Sequence, residues 1–90
     1  GGRVACAVRR LSGVRISGNN MIEAAHVEPS AIGPNVYIER GAQVHDGATI
    51  SNSMVMAGAV IGRGATISNS IIGPGMVVED GAVIADVILA

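Results

Sequence analysis

Ninety residues hold one domain at most, and 49% of them are hydrophobic while only 1% are aromatic, with no Trp, no Phe and a single Tyr. A core built here must be made of Val, Ile, Leu, Ala and Met, which excludes a globular interior filled by large rings and favours a narrow, regular one. The formal net charge of −1 excludes a general nucleic-acid binder.

Residues 1–15 come first and stand apart. They carry Arg3, Arg9, Arg10 and Arg15 and no acid, whereas the remainder carries Arg40 and Arg63 against seven acids, so about +4 is followed by about −5. The plain reading is a solvated basic tail or a cap, and the sharper one is a docking or anion-binding segment. Whether Val4–Leu11 is helix or strand stays open, as a linker helix or a cap. Cys6 is alone and can form no internal disulfide, which is compatible with a reducing, cytoplasmic setting. Val4–Val8 is too short for the apolar region of a signal peptide. The chain holds no run of about 18 apolar residues, so no membrane partner is expected. The start without Met sets the expectation of a fragment or a processed chain.

From residue 16 onward the sequence repeats. Residues 41–57 (GAQVHDGATISNSMVMA), 58–74 (GAVIGRGATISNSIIGP) and 75–90 (GMVVEDGAVIADVILA) align at a period of 17, and ATISNS recurs unchanged at 48–53 and 65–70. Within each repeat, aliphatic anchors step by five or six: Ile16, Ile22, Val27, Ile32, Ile38, Val44, Ile50, Val55, Ile61, Ile67, Ile72, Val78, Ile84 and Leu89. A helical period of 3.6 cannot hold such a step over successive repeats. Strand alternation puts Ala48 and Ile50 on one face and Thr49 and Ser51 on the other. Corners fall on Gly41, Gly47, Gly58, Gly64, Gly75 and Gly81 or on Asn35, Asn52 and Asn69, residue types that tolerate positive φ.

Three short strands per 17–18 residues predict a triangular coil, about four and a half of them, stacked at about 4.8 Å by parallel hydrogen bonds. The anchors then form three columns: Ile22, Ile38, Val55, Ile72 and Leu89; Val27, Val44, Ile61 and Val78; and Ile16, Ile32, Ile50, Ile67 and Ile84. In the later coils the five-residue step always ends on the first column, which makes one corner consistently tighter.

The units Ile32-Gly33-Pro34-Asn35-Val36-Tyr37, Ile61-Gly62-Arg63-Gly64-Ala65-Thr66 and Val78-Glu79-Asp80-Gly81-Ala82-Val83 resemble the hexapeptide repeat of left-handed β-helix proteins, over residues 16–90. The resemblance implies an all-β fold, a single-stranded left-handed parallel β-helix, with residues 1–15 as a basic segment or cap. Its left-handedness comes from the resemblance alone, since the usual crossover preference is right-handed. The corners in SNSMVM and SNSIIGPG and the phrase IGPNVYIERGA are similar to the C-terminal domains of sugar-1-phosphate nucleotidyltransferases, the NDP-sugar pyrophosphorylases. In that family an N-terminal α/β domain performs catalysis with Mg²⁺, and the β-helix serves assembly, regulation or, in bifunctional members, a second acetyltransferase site. The family's G-x-G-T-R-x-x-P loop is absent from these 90 residues, so the chain alone is not expected to make a nucleotide sugar, and no cofactor of its own is expected.

Among chemistry-bearing residues, His26 and His45 are the only histidines. In the predicted register both point outward on the second face, and Glu28 sits one coil from His45. A carboxylate–His pair can orient a general base, so His45 with Glu28 is the candidate for an acyltransferase using acetyl-CoA; the plain alternative is an exposed cross-coil ion pair. Two histidines on different columns give no recognisable zinc spacing, so no metal is expected. Asp46, Arg63 and Asp80 share one corner in successive coils and predict an acid–base–acid ladder, with Asn52 and Asn69 as a corner amide ladder. The glycines belong to corners and none opens a helix, which sets phosphate-loop chemistry aside.

The outward positions before the first-column anchors are Met21, Tyr37, Met54, Ile71 and Ile88, all apolar, with Met56 on the same face. The corresponding columns elsewhere, His26, Gln43, Val60, Val77 and Ala31, Thr49, Thr66, Val83, are mixed. A continuous apolar stripe marks an interface. The expected partner is a second copy of the chain, a catalytic domain of the same protein, or residues 1–15 folding back. The leading expectation is thus a non-catalytic assembly or regulatory domain in nucleotide-sugar biosynthesis. The acetyl-CoA-dependent acyltransferase core is the alternative, and a purely structural capping module the third reading.

Overall fold

The computed structural model describes residues 15–90. It begins with β1 (Arg15–Ser17) and then winds through coils of three strands each. The first coil holds β2 (Asn20–Ile22), β3 (His26–Val27) and β4 (Ala31–Ile32); the second β5 (Val36–Ile38), β6 (Gln43–Val44) and β7 (Thr49–Ser51). The third holds β8 (Ser53–Val55), β9 (Val60–Ile61) and β10 (Thr66–Ser68); the fourth β11 (Ile71–Ile72), β12 (Val77–Val78) and β13 (Val83–Ala85). Strand β14 (Ile88–Leu89) opens a fifth coil.

Equivalent strands of successive coils pair in parallel and make three sheets: β1-β2-β5-β8-β11-β14 on the first face, β3-β6-β9-β12 on the second and β4-β7-β10-β13 on the third. The fold is a β-solenoid with three faces. Anchors sit directly above one another: Ile22, Ile38, Val55, Ile72 and Leu89 are in register on the first face. Val27, Val44, Ile61 and Val78 align on the second, and Ile32, Ile50, Ile67 and Ile84 on the third. Ile38, Val44, Ile50, Val55, Ile61, Ile67 and Ile72 are 0% exposed. Ala42, Ala48, Ala59 and Ala65 fill the corners beside them, also fully buried. A methyl group fills the space where two faces converge at these corners, while Val36 takes the corresponding place before Ile38 and is 1% exposed.

One anchor is misplaced in the sequence reading. Ile16 does not begin the third column; β1 pairs antiparallel with β2 on the first face, with Ile16 opposite Met21. Ser17 faces Asn20, so Gly18 and Asn19 form a two-residue hairpin loop that reverses the chain, with Gly18 at φ +58°. The six-residue spacing from Ile16 to Ile22 equals a solenoid step, but the hairpin pairs Ile16 with Met21, five residues on.

The corners are of two kinds. At His45-Asp46-Gly47-Ala48 the Ala48 N–H donates to the His45 carbonyl at 3.4 Å with Gly47 at φ +78°, and Gly62-Arg63-Gly64-Ala65 repeats this at 3.3 Å with Gly64 at φ +65°. A bond from i+3 to i with positive φ at i+2 is the type II pattern, which asks for Gly there. The tighter corner back to the first face turns on a single residue at positive φ: Asn52 (+47°), Asn69 (+49°) and Asp86 (+58°). Inside it, Ser53 and Ser70 are buried and form their own ladder: Ser70 N–H donates to Ser53 Oγ at 3.0 Å and Val87 N–H to Ser70 Oγ at 3.2 Å. No helix among the described residues is long and apolar enough to cross a membrane.

Candidate functional site

Two outward surfaces bring chemistry together. On the first face, Met21, Tyr37, Met54, Ile71 and Ile88 stand in register on β2, β5, β8, β11 and β14. They form one column because alternation turns the residue before each buried anchor to the outside. Met21, Tyr37 and Met54 are half-buried, Ile71 is 36% exposed and Ile88 72% exposed. Met56, half-buried, stands after the anchor Val55. Where this column meets the single-residue corner the surface is concave. One open groove of about 350 Å³ is lined by Asn19, Met21, Asn35, Tyr37 and Met54, among others. A second, of about 530 Å³, is lined by Asn69, Ile71, Asp86, Val87 and Ile88 beside Ser70.

The parallel column after the anchors begins with Glu23 and Glu39 and continues with Met56 and Gly73. The Tyr37 hydroxyl donates to Glu23 Oε1, and Glu39 Oε1 accepts the Ala57 N–H at 3.2 Å. The bond to Glu23 holds the phenol protonated and raises its pKa above the ordinary value of 10.0, with burial and the charges of Glu23 and Glu39 acting in the same direction. Neither Glu23 nor Glu39 forms an ion pair among residues 18–90. The face is therefore graded: the column after the anchors passes from Glu23 and Glu39 to Met56 and Gly73, and at the C-terminal end Asp86 is bonded by Asn69 Nδ2.

On the second face Glu28 lies between both histidines. Its carboxylate is 3.4 Å from His26 Nε2 and 3.4 Å from His45 Nδ1, and it accepts the Asp46 N–H at 2.9 Å. The parallel register that sets Val27 beside Val44 places Glu28 beside His45, as the repeat predicts. The contact to His26 lowers the Glu28 pKa below the ordinary carboxylate value of 4.5, followed by the Asp46 N–H, with His45 adding to it against the opposing effect of burial. Glu28 is thus held ionised, and a carboxylate 3.4 Å from His45 Nδ1 favours the tautomer with its proton there and Nε2 unprotonated. This is the chemical kernel of an oriented base, although both grooves described above lie on the first face. Among the described residues no group of three or more His, Cys, Asp or Glu is placed to hold a metal ion.

Asp46, Arg63 and Asp80 do occupy one corner in successive coils, but the bonding there differs from a charge ladder. Gly64 N–H donates to the Asp46 carbonyl at 3.0 Å and Gly81 N–H to the Arg63 carbonyl at 2.7 Å, while Asp80 Oδ1 accepts the Arg63 backbone N–H at 2.9 Å. The Arg63 guanidinium makes no ion pair with either acid among the described residues. An exposed carboxylate gains more from a fixed, unpaired amide one coil away than from a long solvated cation. Asn35 Nδ2 donates to Asn52 Oδ1 at 2.8 Å, and Asn69 Nδ2 donates to Asp86 Oδ1 at 2.7 Å. The corner amides thus bond as two pairs, with no side-chain bond joining Asn52 to Asn69 among the described residues.

The sequence reading missed the carboxylates that cap corner amides: Glu28 on Asp46, Glu39 on Ala57 and Asp80 on Arg63. Their signal was available, since each acid stands 17 or 18 residues from the amide it caps. Expectations for residues 1–14 lie outside the described residues.

With this geometry in place, comparison with known proteins adds one finding: a family model described as the GMPPB C-terminal domain matches residues 15–90. No curated protein and no solved structure matches the chain.

Proposed function

The chain belongs to the GMPPB C-terminal domain family, and from that premise we propose that it is the non-catalytic assembly domain of a cytoplasmic nucleotide-sugar nucleotidyltransferase-like protein, docking through its first face. The family is that of a sugar-1-phosphate nucleotidyltransferase C-terminal domain. The observation that carries the docking is the unbroken outward column Met21, Tyr37, Met54, Ile71 and Ile88, which rises to 72% exposure at Ile88. A monomer gains nothing from leaving such a column in water, whereas a partner covering it removes apolar area from solvent. The occupant of the exposed end is a second copy or the catalytic domain of the same protein. Mg²⁺ chemistry belongs to that catalytic domain.

Ile71→Lys tests this directly. Ile71 faces outward beside the buried Ile72, so the variant keeps its circular dichroism spectrum and loses association in sedimentation velocity, alone or with the catalytic domain. Unchanged association of a folded Ile71→Lys chain rejects the docking face.

One observation favours a second reading. Glu28 orients His45, and that pair would act as the general base of an acetyl-CoA-dependent acyltransferase in a groove between subunits. Calorimetric titration with acetyl-CoA separates the readings: heat that disappears in His45→Ala supports the acyltransferase, and no heat dismisses it.

A further inference from the structure

The first face carries an electrostatic mismatch that its apolar column does not explain. Glu23 and Glu39 are half-buried just after the adjacent strands β2 and β5, flanking Tyr37, with no ion pair to either among residues 18–90. A second copy cannot supply the missing charge through the same face. Packed in the same sense, it sets acid against acid; packed in the opposite sense, it presses Glu23 and Glu39 onto Met56, Ile71 and Ile88. Either arrangement buries carboxylates without compensation.

The chain itself holds what is missing. Residues 1–14 carry Arg3, Arg9 and Arg10 with no acid, interleaved with the apolar Val4, Ala5, Cys6, Ala7, Val8 and Leu11. Strand β1 is the edge of the same first-face sheet and runs antiparallel to β2, with Arg15 opposite Ile22. The chain before Arg15 therefore arrives at the Glu23 end of β2, beside the acidic column. Tyr37 lies one strand beyond β2, about 4.8 Å further across the sheet. Fourteen residues extended reach roughly 46 Å, so distance imposes no limit.

We propose that residues 3–11 dock on the N-terminal half of the first face, setting Arg9 and Arg10 against Glu23 and Glu39 and apolar side chains against Met21, Tyr37 and Met54. This rests on the reading of the first face as a docking surface and divides that face in two. The acidic half is covered by the chain's own basic segment. The other half, around Met56, Ile71 and Ile88, where Asp86 is already bonded by Asn69, is left for the assembly partner. Charge complementarity selects the segment, and the graded face confines it.

The composition supplies a clean probe, because Cys6 is the only cysteine and Tyr37 the only aromatic residue. A nitroxide on Cys6 of the full 90-residue chain should broaden the Tyr37 ring resonances relative to the reduced, diamagnetic label. The broadening should fall several-fold in the double variant Glu23→Gln/Glu39→Gln while the Ile50 and Ile61 methyl resonances stay in place. Should that variant fail to fold, salt gives the same reading on the unaltered chain. Near 1 M, where the screening length is about 3 Å, the broadening should fall likewise. A Tyr37 ring that is never broadened overturns the proposal, as does broadening indifferent to both the double variant and salt. Mixing spin-labelled chains with isotope-labelled, spin-free ones identifies the donor. Broadening across such chains assigns the contact to a second copy and also overturns the proposal. The Ile71→Lys result is independent: it can reject the assembly face while the Cys6–Tyr37 contact stands, and the reverse.

Discussion

Replacing Ile61 by Ala puts the interior to a quantitative test. Ile61 is 0% exposed at the centre of the second column, with Val44 below and Val78 above in register. The substitution removes three carbons, worth about 0.8 kcal/mol each on transfer from water, or about 2.4 kcal/mol. Val44 and Val78 are β-branched, and their backbones are held by parallel ladders on β6 and β12, so neither can move far into the gap. If about 40 Å³ of the vacated volume stays open, the cavity adds about 1 kcal/mol. The expected loss is therefore about 3–3.5 kcal/mol, a large share of the stability of any single domain. Urea unfolding followed by far-UV circular dichroism measures it, with an unchanged slope showing that the same surface unfolds. Val83→Ala is the internal control, because Val83 lies on β13 but is 76% exposed, and its cost should stay within about 0.5 kcal/mol. If the two variants fall within 1 kcal/mol of each other, roughly a third of the expected gap, the reasoning that anchors carry the fold is wrong.

Two further outcomes follow from local geometry. A Cβ on Gly62 would lie 2.5 Å from the Asp80 nitrogen and 2.6 Å from the Glu79 carbonyl carbon, both backbone of the next coil, so Gly62→Ala should cost at least about 2 kcal/mol by forcing coils apart. Gly64 has open space around it but φ +65°, so Gly64→Ala should cost about 1–2 kcal/mol through backbone strain, and Gly64→Asn, not Gly62→Asn, should recover most of the loss in thermal melts. Glu28 supplies the pH dependence. Its carboxylate pKa is depressed by His26 and by the Asp46 N–H, so its contribution to stability is present above the ordinary value of 4.5 and fades as pH falls through the lower, folded value. Urea midpoints taken across that acid range should drop less steeply in Glu28→Gln than in the unaltered chain; parallel curves would show that the clasp contributes nothing.

Most of the framework was legible in the sequence because a stacked solenoid writes its geometry into a fixed step. Val44, Ile61 and Val78 recur every 17 residues because each must fall on the one before it, and that constraint also predicts Glu28 beside His45. Positive φ at Asn35, Asn52 and Asn69 follows from residue type at the corner, while the same conformation at Asp86 was missed because an acid there reads as a charge first. Ile16 misled because it stands six residues before Ile22, the length of one solenoid step, while the hairpin pairs it with Met21 and pairs Ile22 with Arg15. The site was less legible than the fold. Arg63 and Asp80 share a corner, yet what joins them is an amide and a carboxylate; that choice lies in side-chain torsions, which no repeat encodes. Glu23 and Tyr37 meet diagonally across β2 and β5, a contact that depends on how far two long side chains lean along the strand.

The same economy explains where any specificity of this chain must lie. Inward positions are nearly interchangeable between coils: Ile50 and Ile67 occupy the same place with the same neighbours, and a prism closed by aliphatic groups has no way to distinguish one partner from another. Outward positions lie outside the sealed interior and meet chiefly their neighbours in adjacent coils, so they can vary without opening a cavity in the stack. They do vary on the second face, where His26, Gln43, Val60 and Val77 follow one another, and on the third, where Ala31, Thr49, Thr66 and Val83 do. Only the first face repeats an apolar choice through five positions that the interior does not require. A repeat present where the fold exerts no demand is what the proposed contact surface would leave in a sequence, and the change from Glu23 and Glu39 beside Tyr37 to Met56 and Gly73 further along would give that surface a direction.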